Sequence, residues 1–150
     1  MGAPVVVTPA VPSPVTFDLL GERITVLAGA EQTGSYEVFL QDGDPGSGPP
    51  PHHHPWDEAF FVTGGEITIS VEGVDEVTAT AGCFVHVPGG TVHAFRFGAE
   101  GGSMVSVTSE GGAADFFAEL AQIPLGGADL PTLMGIAARR GLTILPPPEV

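Results

Sequence analysis

Residues 46–65 read GSGPPPHHHPWDEAFFVTGG, so three of the chain's five histidines stand side by side after a proline run and just before an acidic pair. In extended backbone, residues two apart point the same way with Cα atoms about 6.7 Å apart. His52 and His54 therefore converge on one point while His53 turns away. Past the Pro55-Trp56 corner, Glu58 opens the next strand and shares its face with Phe60 and Val62. A carboxylate heading an apolar stripe is costly unless it is paired or bound to a metal. The stretch VPGGTVHAF, residues 87–95, offers a further ligand in His93, on the face of Phe95 and Phe97 after a glycine turn.

Around this stretch, Gly and Pro recur every few residues and separate short runs of period-two alternation, the pattern of an all-β sandwich or barrel. Candidate strands cover 23–29, 35–41, 58–64, 66–72, 76–82, 83–88, 93–98 and 104–110. Turns are expected at Gly64-Gly65, Gly73 to Asp75 and Gly101-Gly102, because Gly and Asp tolerate positive φ. In EITISVE (66–72), Ile67, Ile69 and Val71 share the face that looks into a core. After residue 111 the spacing changes. AADFFAELAQI and LPTLMGIAARRGL place apolar residues three and four apart, as amphipathic helices do. Asp129 and Pro131 suit the start of the second helix, and Arg139 to Gly141 its end. The chain is thus divided into an extended arm (1–22), a β domain (23–110) and a helical tail (111–150) that packs on the domain's flank or forms a dimer seam.

Composition removes several function classes. Eighteen acidic residues against four basic ones give a net charge of −14, which repels phosphate backbones and anionic membrane surfaces, so neither nucleic acid nor a membrane is an expected partner. All four cations are arginines, and without lysine there is no Schiff-base chemistry and no P-loop lysine. DPGSGP (44–49) fails the G-x-S-x-G nucleophile elbow at its first glycine, so a serine hydrolase is not supported. Cys83 is the only cysteine, forms no internal disulfide and reads as a small buried hydrophobe. The apolar opening lacks a positive n-region and is interrupted by Pro4, Pro9, Pro12 and Pro14, which makes a cytoplasmic location the expectation. His86, alone on its strand, reads as a packed or supporting residue rather than a ligand.

The histidine stretch resembles a known family. Gly46, His52, His54, Glu58 and Gly65 fit the first cupin motif, G-x5-H-x-H-x3-E-x6-G, at every spacing. Gly82, Pro88, Gly90 and His93 fit the second, G-x5-P-x-G-x2-H-x3-N, up to its last position, where Phe97 replaces Asn. The resemblance spans roughly 24–110 and implies a small double-stranded β-helix or jelly-roll barrel with a metal inside, carrying the short C-terminal helical tail. With the sheet edges that need covering, it also implies a homodimer.

Three neutral imidazoles and a carboxylate, His52, His54, His93 and Glu58, suit one divalent transition metal, whether Fe, Mn, Co, Ni or Zn. The pocket face given by alternation, Phe60, Val62, Ile67, Ile69, Phe95 and Phe97, is apolar and holds no cation for an anionic metabolite. The expected partner is therefore a small apolar or aromatic molecule with an enol or phenol oxygen, flavonol-like compounds included. The leading reading is a metal-dependent dioxygenase resembling the quercetinase-like cupins, with Glu58 as base. A cupin lyase, isomerase or cyclase using the metal as Lewis acid is the alternative, and a non-catalytic metallo-cupin binding module is the third.

Overall fold

The computed structural model describes residues 3–123 and 129–146. The first two residues of the expected arm, the break between the tail helices and the tail's last four residues lie outside them. The elements run β1 (Thr16–Leu19), β2 (Glu22–Ala28), α1 (Ala30–Thr33), β3 (Tyr36–Gly43), β4 (His52–His53), β5 (Glu58–Val71), β6 (Val77–Ala79), β7 (Phe84–Val87), β8 (His93–Ser109), α2 (Ala113–Leu120), α3 (Leu130–Arg139) and β9 (Thr143–Ile144). The strands form one curled antiparallel sheet in the order β1-β2-β3-β8-β4-β9, with β5 pairing β6, β7 and β8 off that path. This is the all-β barrel with a short helical tail that the alternation and motifs indicated. No helix among the described residues is long and apolar enough to cross a membrane.

Three features depart from the sequence reading. The runs 58–64 and 66–72 are one strand, β5, and the runs 93–98 and 104–110 are one strand, β8. The glycines between them do not reverse the chain. Gly65 and Gly102 are register partners in a bend of the β5–β8 ladder flanked by register shifts. Gly65 has φ +66° and Gly101 φ +74°, and a Cβ on Gly65 would stand 2.3 Å from the Gly101 carbonyl oxygen, so glycine is there for close approach in a fold-over. Strand pairing also begins inside the expected arm, where Thr16–Leu19 pairs with Glu22–Thr25. The Gly73 to Asp75 stretch does turn the chain, from β5 into β6.

The interior has two halves. Phe60, Val62, Ile67, Ile69, Ala79, Val87, Phe95, Phe97 and Met104 form a core built from strands alone. The other half joins Leu19, Ile24, Phe39 and Trp56 of the barrel to Ala113, Phe116, Ile136, Ala137, Leu142 and Ile144 of the tail. Glu37, 3% exposed, points inward on β3, where its carboxylate accepts from the backbone N–H of Gly112 and Ala114 at the start of α2 and of Ala30 at the start of α1. A buried carboxylate is tolerated because those otherwise orphaned donors pair with it. Asp129 caps α3 by accepting from Thr132 N–H at 2.8 Å. Glu119 of α2 meets Arg139 and Arg140 at 2.6 and 2.7 Å, an exposed link worth little by itself. Apolar burial therefore holds the tail down.

Candidate metal centre

Two strand ladders and one loop assemble the site. His52 on β4 is the register partner of His93 at the start of β8, so one rung sets two imidazoles side by side on the inner face. Glu58 starts β5 opposite Thr108 and Val87. Between β4 and β5, the Gly90 N–H donates to the His54 carbonyl at 2.7 Å and the Gly89 N–H to Asp57 Oδ1 at 2.8 Å. The turn of the second motif thus holds the loop of the first.

His52, His54 and His93 are buried, and one ring nitrogen from each lies within 4.8 Å of the others. Glu58 adjoins two of the three: its Oε2 is 2.8 Å from His54 Nε2 and 3.3 Å from His93 Nε2. His53 is half-buried and outside the cluster, and His86 is exposed on β7. Cys83 packs partly buried against the strand-built core.

Each ring is oriented the same way. Nδ1 of His52, His54 and His93 lies 2.9 Å from the carbonyls of Pro50, Trp56 and Thr91 respectively. A carbonyl only accepts, so each Nδ1–H donates and a neutral ring presents its Nε2 lone pair to the interior. Such a lone pair 2.8 Å from a carboxylate oxygen repels it unless a proton or cation lies between them. Two ligand atoms each about 2.1 Å from one ion and at right angles stand about 3.0 Å apart, close to the two Glu58 contacts. The donor set, its orientation and its spacing fit a divalent transition metal.

Electrostatics agree. Burial, with His93 beside it, pushes His52 down to about 4, so that ring is neutral and ready to ligate at neutral pH. Burial pushes the Glu58 carboxyl up, but the His54 and His93 rings, with a proton on the Nε2 that faces it, outweigh burial and hold the group down at about 2. A cation between the carboxylate and those nitrogens takes the place of that proton when they present lone pairs.

A cavity of about 130 Å³ opens beside the cluster, bordered by His52, His54 and Glu58. Phe95 is the one residue of the expected pocket face that lines it; Phe60, Val62, Ile69 and Phe97 are 0–2% exposed inside the strand-built core. The apolar wall comes instead from Leu19 and Ile24 of the first strands and from Phe116, Leu133, Leu142 and Ile144 of the tail. The tail's helical spacing announced its apolar faces but not the surface they would meet. Among the described residues no arginine lines the cavity, and its polar positions away from the cluster include Glu22, Gln41 and Thr108. Trp56 also lines it and stacks on His54, ring centres 4.5 Å apart and planes 8° from parallel. Burial, despite a hydrogen bond from Gln41 and aided by the charge of Glu58, pushes the Glu22 carboxyl up to about 7.

Residues 39–108 match the family described as "Cupin domain". Quercetin 2,3-dioxygenase of Bacillus subtilis (strain 168) is 30% identical over 105 residues, 68% of this chain and 31% of the relative, so the chain spans about a third of that protein. Among solved structures, KdgF from Halomonas sp. aligns with a TM-score of 0.57 at 20% identity, covering 63% of this chain and 84% of the other. DMSP lyase DddQ from Ruegeria pomeroyi DSS-3 aligns with a TM-score of 0.55 at 22% identity, covering 60% of this chain and 47% of the other. At such identities the structural likeness speaks for the fold alone.

Proposed function

We propose that this chain, whose residues 39–108 are a cupin domain, is a metal-dependent dioxygenase of small apolar or aromatic enols and phenols. The observation that carries the reading is the meeting of three inward imidazole nitrogens and a carboxylate with an apolar cavity that no cation lines. The relative with a dioxygenase name supports the reaction type. His52, His54, His93 and Glu58 would hold one divalent metal, Fe, Mn, Co, Ni or Zn. When bound, such an ion would supply the Lewis acidity that lowers the pKa of a substrate hydroxyl.

The remaining work falls to the protein. Leu19, Ile24, Phe95, Phe116 and Leu142 surround the substrate body and exclude water. Trp56, stacked on His54, keeps that ring in register. Glu58, the carboxylate in contact with the imidazoles, would accept the substrate hydroxyl proton. A void of ~150 Å³ is known to hold benzene, so a cavity of about 130 Å³ takes one aromatic ring. Phe61 and Phe84, cross-strand neighbours on the outer face, are 47% and 64% exposed, and we take that face as the seam of a homodimer. A monomeric sedimentation profile at micromolar concentration overturns the dimer.

The test loads the protein anaerobically with Fe(II), Mn(II), Co(II) or Ni(II), adds single-ring phenols, β-diketones and flavonols, and follows oxygen uptake. Glu58→Gln should lower turnover about 10²–10⁴-fold while three histidines still retain metal. Metal-dependent conversion under argon would replace this reading with the lyase, isomerase or cyclase one. Ligand binding with no conversion under any condition would leave a binding module.

A further inference from the structure

Three buried side-chain polar atoms have no hydrogen-bond partner within the protein among the described residues: Gln41 Oε1, Thr108 Oγ1 and Trp56 Nε1. Their residues are 4%, 2% and 6% exposed, and all three line the cavity beside the imidazole cluster. Burying one polar atom without a partner is unfavourable, and buried polar groups are nearly always paired. Three residues with such atoms line one cavity whose walls, apart from His52, His54, Glu58 and Glu22, are largely apolar, and a guest in that cavity is the partner they can share.

Their chemistry describes that partner. Gln41 turns its amide nitrogen to Glu22, Nε2 to Oε1 at 3.3 Å, which leaves the amide oxygen, an acceptor, free. Glu22, itself a cavity residue, thereby fixes which end of the amide is free. Trp56 Nε1 only donates, and Thr108, register partner of Glu58, does either. A hydroxyl both gives and accepts, so hydroxyl groups match all three.

We propose that Gln41, oriented by Glu22, is a specificity-determining anchor that binds a second hydroxyl on the substrate, which narrows the substrate class to single-ring phenols or enols carrying two hydroxyl groups. This rests on the cavity reading given above and extends it from one polar contact to two. Gln41 acts at a distance from the proton transfer assigned to Glu58, through substrate affinity and choice.

The experiment measures binding, not turnover. Zn(II)-loaded protein under argon is titrated with catechol, resorcinol and hydroquinone and with the monomethyl ether of each, and Trp56, the only tryptophan, reports occupancy by its fluorescence. At least one dihydroxybenzene should bind about tenfold or more tightly than its own ether, and Gln41→Met, close to isosteric, should bring that ratio near one. A wild-type ratio near one for all three pairs overturns the proposal, as does an undiminished ratio in a Gln41→Met protein that melts like wild type. If Gln41→Met does not fold, the wild-type ratio decides alone. Discrimination by the zinc form alongside a lack of oxygen uptake by the iron form would keep the anchor and remove the oxygenase. Failure of every probe to bind would remove both.

Discussion

The two halves of the interior use similar side chains to opposite ends. In the strand-built half, Phe95 and Phe97 meet edge to face at 5.7 Å and Phe60 meets Phe95 at 5.5 Å, with Val62, Ile67 and Met104 fully buried among them. It is packed shut. In the half closed by the tail, phenylalanines and leucines line a void, and polar atoms of Gln41, Thr108 and Trp56 share it. Apolar side chains on facing strands fill the space between themselves, whereas helices laid over a barrel mouth span a gap that their side chains need not fill. The closed half stiffens the ladder that carries Glu58 and His93, and the open half holds the cavity where we propose that the chemistry is done.

The largest effect expected from that contrast is on stability. Phe97→Ala, deep in the closed half, should lower the unfolding free energy by about 3–5 kcal/mol. Phe116→Ala, beside an existing void, should cost about half as much, because fewer well-packed neighbours lose contacts. Denaturant unfolding measures both, and equal losses would break the comparison. Next is metal addition: at a hundred times its dissociation constant it should stabilise the protein by about 2.7 kcal/mol. His93→Ala should abolish that gain and His53→Ala retain it, read as melting temperature with and without chelator. If both substitutions abolish it, the convergence of His52 and His54 without His53 is wrong.

The smallest effect sharpens the role of polar groups in the open half. The Glu22 carboxyl is raised from 4.5 to about 7 in the folded state, so between those values the folded protein holds a proton that the unfolded chain has released. Its contribution is complete below about 4.5 and declines as pH rises toward about 7. Glu22→Gln should flatten the fall in melting temperature across that window, an effect of about 1 kcal/mol or less once solvent screening is allowed for. An unchanged slope would mean that Glu22 is solvated and the open half wetter than described.

The legible and illegible parts of this molecule divide along the same line. Alternation reports which way a strand residue points, and the meeting of His52, His54, Glu58 and His93 was readable because the spacing and faces within each of the two stretches that carry them are local. It does not report how far the opposite wall is, so Phe60, Val62, Ile69 and Phe97 read as pocket when they are filled core. Gly64-Gly65 and Gly101-Gly102 looked like turns because a glycine pair signals positive φ whether the chain reverses or folds over; only the register of β5 on β8 tells them apart. The strand in TFDL (16–19) is too short to show a period. Where the tail docks depends on the barrel mouth, which no segment of the tail encodes.

The tail is attached at one point by more than packing. After α3 the chain returns to lay Thr143 and Ile144 along β4, as register partners of His53 and His52, and the Leu145 N–H donates to the Pro51 carbonyl at 2.9 Å. The strand that carries His52 is therefore bonded to a segment that lines the cavity. In thermodynamic terms the two are linked, and linkage is reciprocal. On the proposed reading, a molecule that holds the tail closed would tighten the hold on an ion at His52, an ion at His52 would favour the closed tail by the same factor, and lifting the tail would loosen the ion.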